Sequence, residues 1–304
     1  MKARFYFLSL VLLAACQPVE IDYDYQKTLA ENTPQAGEGY TMTLQATKGI
    51  DTKALSLDGS ALTAYWVTGE KVGVYVNGTR CGQLLATAQA APNQNQATLT
   101  GSVSTAIKAN DVIVLLYPDR EDITEGTKWD YSGQAGAAPA GDLAARFDYA
   151  TATLSVSSIE GTSVHTTTSS VAFQQEQSIY RFDFKVNDVL KDVKWFTVSS
   201  SRNLLVTSRS YNNGWESNHG DLTVTLTGDG ATRPYVSLRN ENTTQADTYS
   251  FLVVGGDNAL YSGNKEIPAD KLGNCKFLAP GVALTKCNLH MQDEGYIVSQ
   301  SKVL

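Results

Sequence analysis

Residues 40–47 read Tyr40-Thr41-Met42-Thr43-Leu44-Gln45-Ala46-Thr47. Tyr40, Met42, Leu44 and Ala46 fall on one side of a pleat and four polar residues on the other, which is the period of a strand lying on a core. The alternation returns at Val72, Val74 and Val76, at Phe182, Phe184 and Val186, and at Val224 and Leu226 between Thr223, Thr225 and Thr227. Between these runs stand Asp58-Gly59, Asn77-Gly78, Asn213-Gly214 and Asp229-Gly230, pairs that supply the positive φ of tight hairpins. The fold class is therefore all-β. One short helix is expected, over Ser102–Lys108, and no repeat of solenoid period occurs.

The chain has 304 residues, of which 42% are hydrophobic and 18% charged, so it can fill sizeable cores and is not a disordered chain. At about 150 residues per domain the length suggests two. The stretch from Ser157-Ser158 to Ser169-Ser170 is rich in Ser and Thr and poor in large apolar residues, and reads as the junction. That gives an N-terminal β domain at 40–165 and a C-terminal one at 166–304. With 24 Lys and Arg against 31 Asp and Glu, the net charge of −7 leaves no basic surface for nucleic acid.

The leader is the most specific local signal. Lys2 and Arg4 precede an apolar run from Phe5 to Ala15, well short of the ~20 residues a membrane-spanning helix needs. Its end, Leu13-Ala14-Ala15-Cys16, resembles a bacterial lipobox. Residues 1–15 are read as a signal peptide and Cys16 as the lipidated first residue of the mature protein, at the outer membrane and facing the cell surface. Residues 16–39 carry Glu20, Asp22, Asp24, Glu31 and Glu38 against Lys27, and form an acidic tether.

Three further cysteines, Cys81, Cys275 and Cys287, lack the spacing of a zinc or redox site. A Cys275–Cys287 disulfide is one reading and three buried thiols are the other. His165, His219 and His290 have no metal-ligand spacing. Asp119, Glu121, Asp122 and Glu125 lack the order of a Ca²⁺ loop and read as a solvated turn. Gly161-Thr162-Ser163-Val164-His165 lacks the last Gly of a nucleophile elbow. No cofactor, metal or enzymatic activity is expected. Trp66 and Trp195 lie inside strand-like runs and are read as core, whereas Trp129 and Trp215, beside Tyr131 and Tyr211, are the two considered for stacking on a glycan.

The segment Trp66-Val67-Thr68-Gly69-Glu70-Lys71-Val72-Gly73-Val74-Tyr75 resembles the W-x-x-G-D-x-I-x-V-F signature of fimbrillin-like proteins, the pilins of type V pili. Thr52-Lys53-Ala54, Tyr117-Pro118, Gly141-Asp142-Leu143-Ala144-Ala145 and Phe173 to Val186 follow in the order that family has. Gln175 replaces the family's His, and no Arg occurs between Arg4 and Arg80, where many members are cut by a trypsin-like protease.

The resemblance implies two tandem transthyretin-like β-sandwiches and a structural or adhesive role in a fimbrium. Its partners would be other pilin subunits, joined by β-strand addition, and a host protein or glycan. In that scheme Tyr40, Met42, Leu44 and Ala46 belong to a removable first strand, and Lys48 or Lys53 marks the maturation cut. Each inward residue is worth about 1.5–3 kcal/mol of burial, so an emptied groove calls for refilling. A permanent first strand is the other reading. At the C-terminus, Tyr296 to Leu304 is expected to dock on its own domain, because Ser299 and Ser301 interrupt the apolar side that a donor strand needs. The competing function is a surface glycan-binding lipoprotein of a polysaccharide-uptake system.

Overall fold

The computed structural model describes residues 39–48, 53–58, 61–63, 65–119, 127–136, 143, 146–211, 214–226, 231–274, 276–292 and 295–299. In 53–58, 61–63, 127–128 and 288–299 the description is of the backbone. Cys16 and the acidic tether, together with Glu121, Asp122, Glu125 and Cys275, lie outside it. The chain is all-β, as its alternation requires.

The first group of strands is β1 (Tyr40–Lys48), β2 (Lys53–Asp58), β3 (Ala61–Thr63), β4 (Lys71–Val76), β5 (Thr79–Ala88), β6 (Gln96–Val103) and β7 (Val112–Tyr117). After β8 (Thr127–Asp130) come β9 (Ala150–Glu160), β10 (Ser163–Thr166) and β11 (Ser170–Gln175). Strands β10, β1, β11, β9, β7, β4, β5 and β6 form one eight-stranded sheet, and β1 also pairs with β6. The ladder therefore closes on itself into a ring, where the sequence reading expected a two-sheet sandwich. Closure removes the sheet edges that would otherwise invite pairing with other chains. It also demands close approach: a Cβ on Gly101 of β6 would stand 2.0 Å from the carbonyl oxygen of Gln83 on β5.

The second group is β12 (Ser178–Arg181), β13 (Asp183–Val186), β14 (Val189–Leu190), β15 (Val193–Ser200), β16 (Leu205–Tyr211), β17 (Trp215–His219) and β18 (Leu222–Thr225). It continues with β19 (Tyr235–Asn240), β20 (Asp247–Gly255), β21 (Leu260–Ile267), β22 (Phe277–Leu278), β23 (Gly281–Ala283) and β24 (Thr285–Lys286). The sheets β17-β16-β19-β12-β22, β14-β13-β23 and β18-β15-β20-β21-β24 share one core. At its centre Phe182 meets Phe196 at 5.8 Å and Phe251 at 5.0 Å, both edge to face.

Two departures from the sequence reading have a common cause. The Ser/Thr-rich stretch taken as a junction is strand: β9, β10 and β11 belong to the ring, with Val156, Val164 and Val171 inward. Its Ser and Thr fill the solvent side of the strands, which gave a polar composition without a linker. Conversely β8 pairs with β16, and Trp129, Tyr131, Phe147 and Tyr149 pack into the second core. The chain crosses between the two cores more than once, a long-range fact that local composition does not carry. Ser102–Lys108 is not helical either: β6 runs to Val103, and Ser104 Oγ then accepts from the Ala106 amide at 3.1 Å in a turn.

Strands β4 and β7 form the wall between the cores. Val72 and Val74 of β4 and Ile113 and Leu115 of β7 face into the ring. Tyr75 and Leu116, one residue out of phase, join the second core, where Tyr75 meets Tyr211 edge to face at 5.8 Å. The joint is completed by Glu176, in the connection between β11 and β12. Its Oε2 accepts from Arg209 Nη1 at 2.8 Å and from Arg239 Nη1, and its Oε1 accepts from Thr151 Oγ1 at 2.8 Å.

Candidate functional site

β1 lies between two sets of partners. On one side it is antiparallel to β6 over eight residues, from Tyr40 opposite Val103 to Thr47 opposite Gln96. On the other it runs parallel to β10 and then to β11, ending with Lys48 opposite Phe173. Met42, Leu44 and Ala46 are 0%, 2% and 1% exposed, while Tyr40 at the rim is half-buried. On the outward side Thr43 bonds Thr100 at 3.2 Å, and Gln45 Nε2 donates to Thr98 Oγ1 at 3.1 Å. The alternation legible in the sequence is thus realised as a strand laddered on both flanks.

The inward phase continues one step further, to Lys48. Its side chain is only 2% exposed, which a charged group tolerates only when paired and hydrogen-bonded. Nζ donates to Glu70 Oε2 at 3.0 Å, to Glu70 Oε1 at 3.3 Å and to the Tyr65 carbonyl oxygen at 3.1 Å. Asp148 Oδ2 lies 3.6 Å from it. The ammonium also sits 4.0 Å from the Tyr117 ring centroid and 4.5 Å from that of Trp66, within cation–π range.

The Trp66 to Glu70 motif builds this cage. Trp66 is buried edge-on against Tyr117 and Phe173, each at 5.4 Å. Gly69 then turns the chain at φ 94°, a conformation that favours glycine. The turn brings Glu70 back, where it also accepts from the Val67 amide at 3.0 Å and from the Tyr117 hydroxyl at 2.6 Å. Asp148 arrives from the segment before β9, with Gln177 Nε2 at 3.5 Å from its Oδ1. Burial pushes the Asp148 carboxyl above its ordinary value and the Glu70 charge adds to the rise, while Lys48 and a hydrogen bond from Gln175 oppose it.

The other residues singled out in the sequence are scattered. Lys53 opens β2. Cys287 is buried with a free thiol and Cys81 is half-buried and free; burial raises the Cys81 thiol. Asp119 accepts from Arg80 Nη2 at 2.5 Å and from Gln83 Nε2 at 2.6 Å. It is a buried structural carboxylate and not part of a solvated turn. His165 lies 3.8 Å from Glu160 and His219 3.4 Å from Glu241, and His290 falls in β25 (Asn288–Gln292). Among the described residues no three His, Cys, Asp or Glu side chains gather as metal ligands.

Of the two tryptophans considered for glycan stacking, one is buried and the other half-buried against it. Trp129 is 0% exposed and stacked on Tyr149 at 5.0 Å, and Trp215 is wedged between Trp129 at 4.6 Å and the Arg209 guanidinium at 4.1 Å. Trp195, expected in the core, is half-buried.

The C-terminal strand also differs from expectation. β26 (Gly295–Ser299) pairs antiparallel with β25 in a two-stranded sheet of its own, with Leu289 opposite Val298 and Met291 opposite Tyr296. It does not extend a sheet of the body.

Sequence reasoning missed Glu70 and Asp148. A signal for a buried partner was present all the same: Lys48 is in phase with Met42, Leu44 and Ala46, and an inward lysine requires a carboxylate.

No family model and no curated protein matches the sequence. Among solved structures, a candidate cell adhesion protein of Bacteroides uniformis aligns with a TM-score of 0.42 and 14% identity, over 86% of this chain and 97% of that one. One from Bacteroides ovatus aligns with a TM-score of 0.40 and 14% identity, over 88% and 97%. The tip fimbrial protein Mfa3 of Porphyromonas gingivalis aligns with a TM-score of 0.36 and 10% identity, over 74% and 81%. The structural neighbours of this chain are thus candidate adhesion proteins of Bacteroides and a fimbrial tip protein.

Proposed function

We propose that the chain is a cell-surface structural or adhesive subunit of a fimbrial kind, held to the outer membrane by a lipid on Cys16, that joins a partner subunit by β-strand addition. The observation that carries this reading is the C-terminal hairpin. β25 and β26 ladder with each other in a sheet separate from those of the body, and Leu289 and Met291, alternate residues of β25, stand opposite Val298 and Tyr296 of β26. A hairpin of that design suits insertion into a neighbour's groove. The motif order from Trp66 to Val186 supports the same reading. In this scheme the ring keeps β1, whose inward end is tied down by the Lys48 cage.

Deleting residues 288–304 tests it. The truncated monomer should melt within about 2 °C of the full chain, since less than 1 kcal/mol of body packing would be lost, and it should no longer enter multimers with its partner. A melting temperature lowered by about 10 °C or more, equivalent to several kcal/mol of lost burial, would mean that the hairpin belongs to the body.

A second reading is favoured by the β1 slot, whose Met42, Leu44 and Ala46 positions are dry and flanked by β6 on one side and β10 and β11 on the other. Removal of β1 after a cut would leave a groove for a neighbour's strand. The enclosure of Lys48 makes Lys53 the better cut site of the two. Brief digestion of the native protein with a lysine-specific protease decides the matter: SDS-resistant ladders favour strand exchange, and a monomer that retains β1 excludes it.

A further inference from the structure

We propose that Lys48 and Asp148 are joined by an intramolecular isopeptide bond, formed by the folded protein itself with Glu70 as the proton shuttle. The inference goes beyond the fimbrial reading and does not depend on it.

Three observations carry it. The first is separation. Nζ lies 3.6 Å from Asp148 Oδ2, near the roughly 3–3.5 Å of a near-attack arrangement, and two groups held so in one fold react with the large effective molarity of an intramolecular step. The second is environment. Lys48 is 2% exposed and Trp66, Tyr117 and Phe173 wall the site, so the two groups meet away from bulk water. Transfer of the ammonium proton to the carboxylate leaves a neutral amine facing a carboxylic acid, and burial already raises the Asp148 carboxyl in that direction. The third is a base in place. Tyr117 donates to Glu70 Oε1 at 2.6 Å, which leaves Oε2 facing Nζ at 3.0 Å.

The step balances without an oxidant or an outside reagent. The Nζ lone pair attacks Asp148 Cγ, and Glu70 accepts a proton from the nitrogen as the C–N bond forms. Gln177 Nε2, 3.5 Å from Oδ1, is a donor to the oxygen on which negative charge develops. The C–O bond to Oδ2 then breaks, that oxygen takes the proton back from Glu70, and one water leaves. Lys48 stands at the end of β1 and Asp148 before β9, so the bond would fasten the first strand of the ring to its own barrel.

Peptide mapping of the denatured full-length protein tests this. A lysine-specific protease should fail to cut after Lys48. The peptide holding Lys48 should be found joined to the one holding Asp148, their combined mass short by one water. Separate peptides of full mass, with cleavage after Lys48, would reduce the pair to an ordinary buried ion pair and overturn the proposal. Glu70→Gln should leave most of the protein unlinked. Full linkage in E70Q would remove Glu70 from the mechanism. The wild-type map decides the bond itself even where a variant folds poorly, and it reads mass rather than multimer formation, so it fails or succeeds independently of the hairpin test.

Discussion

Glu176→Ala should destabilise the protein by about 3–5 kcal/mol, because it strands two guanidinium groups that are largely shielded from water. Arg209 and Arg239 are 7% and 9% exposed, and both direct Nη1 at Glu176 Oε2. Arg239 Nη1 also donates to the Glu176 carbonyl oxygen at 2.6 Å. Burial and the neighbouring Arg239 charge hold Arg209 below its ordinary value, so the carboxylate is what makes the pair tolerable. Its loss falls on the connection where the ring hands the chain to the second core. Urea titration reads the effect as a shifted midpoint, and at about 2–4 °C per kcal/mol the melting temperature should drop by roughly 10 °C. Glu176→Gln keeps an acceptor and should cost less. A change under about 1 kcal/mol for E176A would show that the two arginines reach solvent without it.

Lys48→Met should be comparably damaging at neutral pH, and with a distinctive pH profile. The substitution leaves Glu70 and Asp148 together beside Trp66 and Tyr117 with no cation between them, again a loss of about 3–5 kcal/mol. Where the isopeptide bond has formed, its absence also frees a loop spanning residues 48 to 148, worth about 4–5 kcal/mol on chain-entropy grounds. Lys48 opposes the rise of the Asp148 carboxyl, so without it that carboxyl rises further above its unfolded value. A carboxyl whose folded pKa is raised binds more protons in the folded state than in the unfolded one. Its contribution is therefore favourable at low pH and is lost as pH climbs from the ordinary carboxylate value through the raised one. K48M should lie closest to the wild type near pH 4 and fall away toward pH 7, by denaturant midpoints taken across that range. A deficit constant with pH would place the loss in packing rather than in the facing carboxylates.

The elements that could be read from the sequence are those whose two faces differ. β1 alternates Thr and Gln with Met, Leu and Ala, and its pattern maps directly onto outward and inward positions. Asn77-Gly78 turns β4 into β5 with φ of 49° and 77°, as the dipeptide requires. β4 was only half legible: Val72, Val74 and Val76 gave one face, but Tyr75 is buried as well because a second core lies behind it. A strand covered on both sides has no polar phase to announce what covers it. The cage around Lys48 was hidden for a related reason. Its members come from residues 48, 66, 70, 117 and 148, and only the closure of the ring sets them side by side. The Ser and Thr of β9 to β11 misled through composition, since they are the outer face of strands rather than a linker.

The placing of β1 bears on how the proposed anchoring would load the fold. If the chain is anchored through Cys16 as proposed, a pull from that side enters the fold at Tyr40, the first residue of β1. Because β1 is laddered on both flanks, continuously to β6 and in two stretches to β10 and β11, it cannot be unzipped one bond at a time from a free edge. It must slide past β6, β10 and β11 at once, so the ladder bonds share the force in shear. Resistance under such tension is set by the rate of forced opening rather than by equilibrium stability. A first strand clamped in this way would serve as a mechanical fastening for a molecule anchored as proposed.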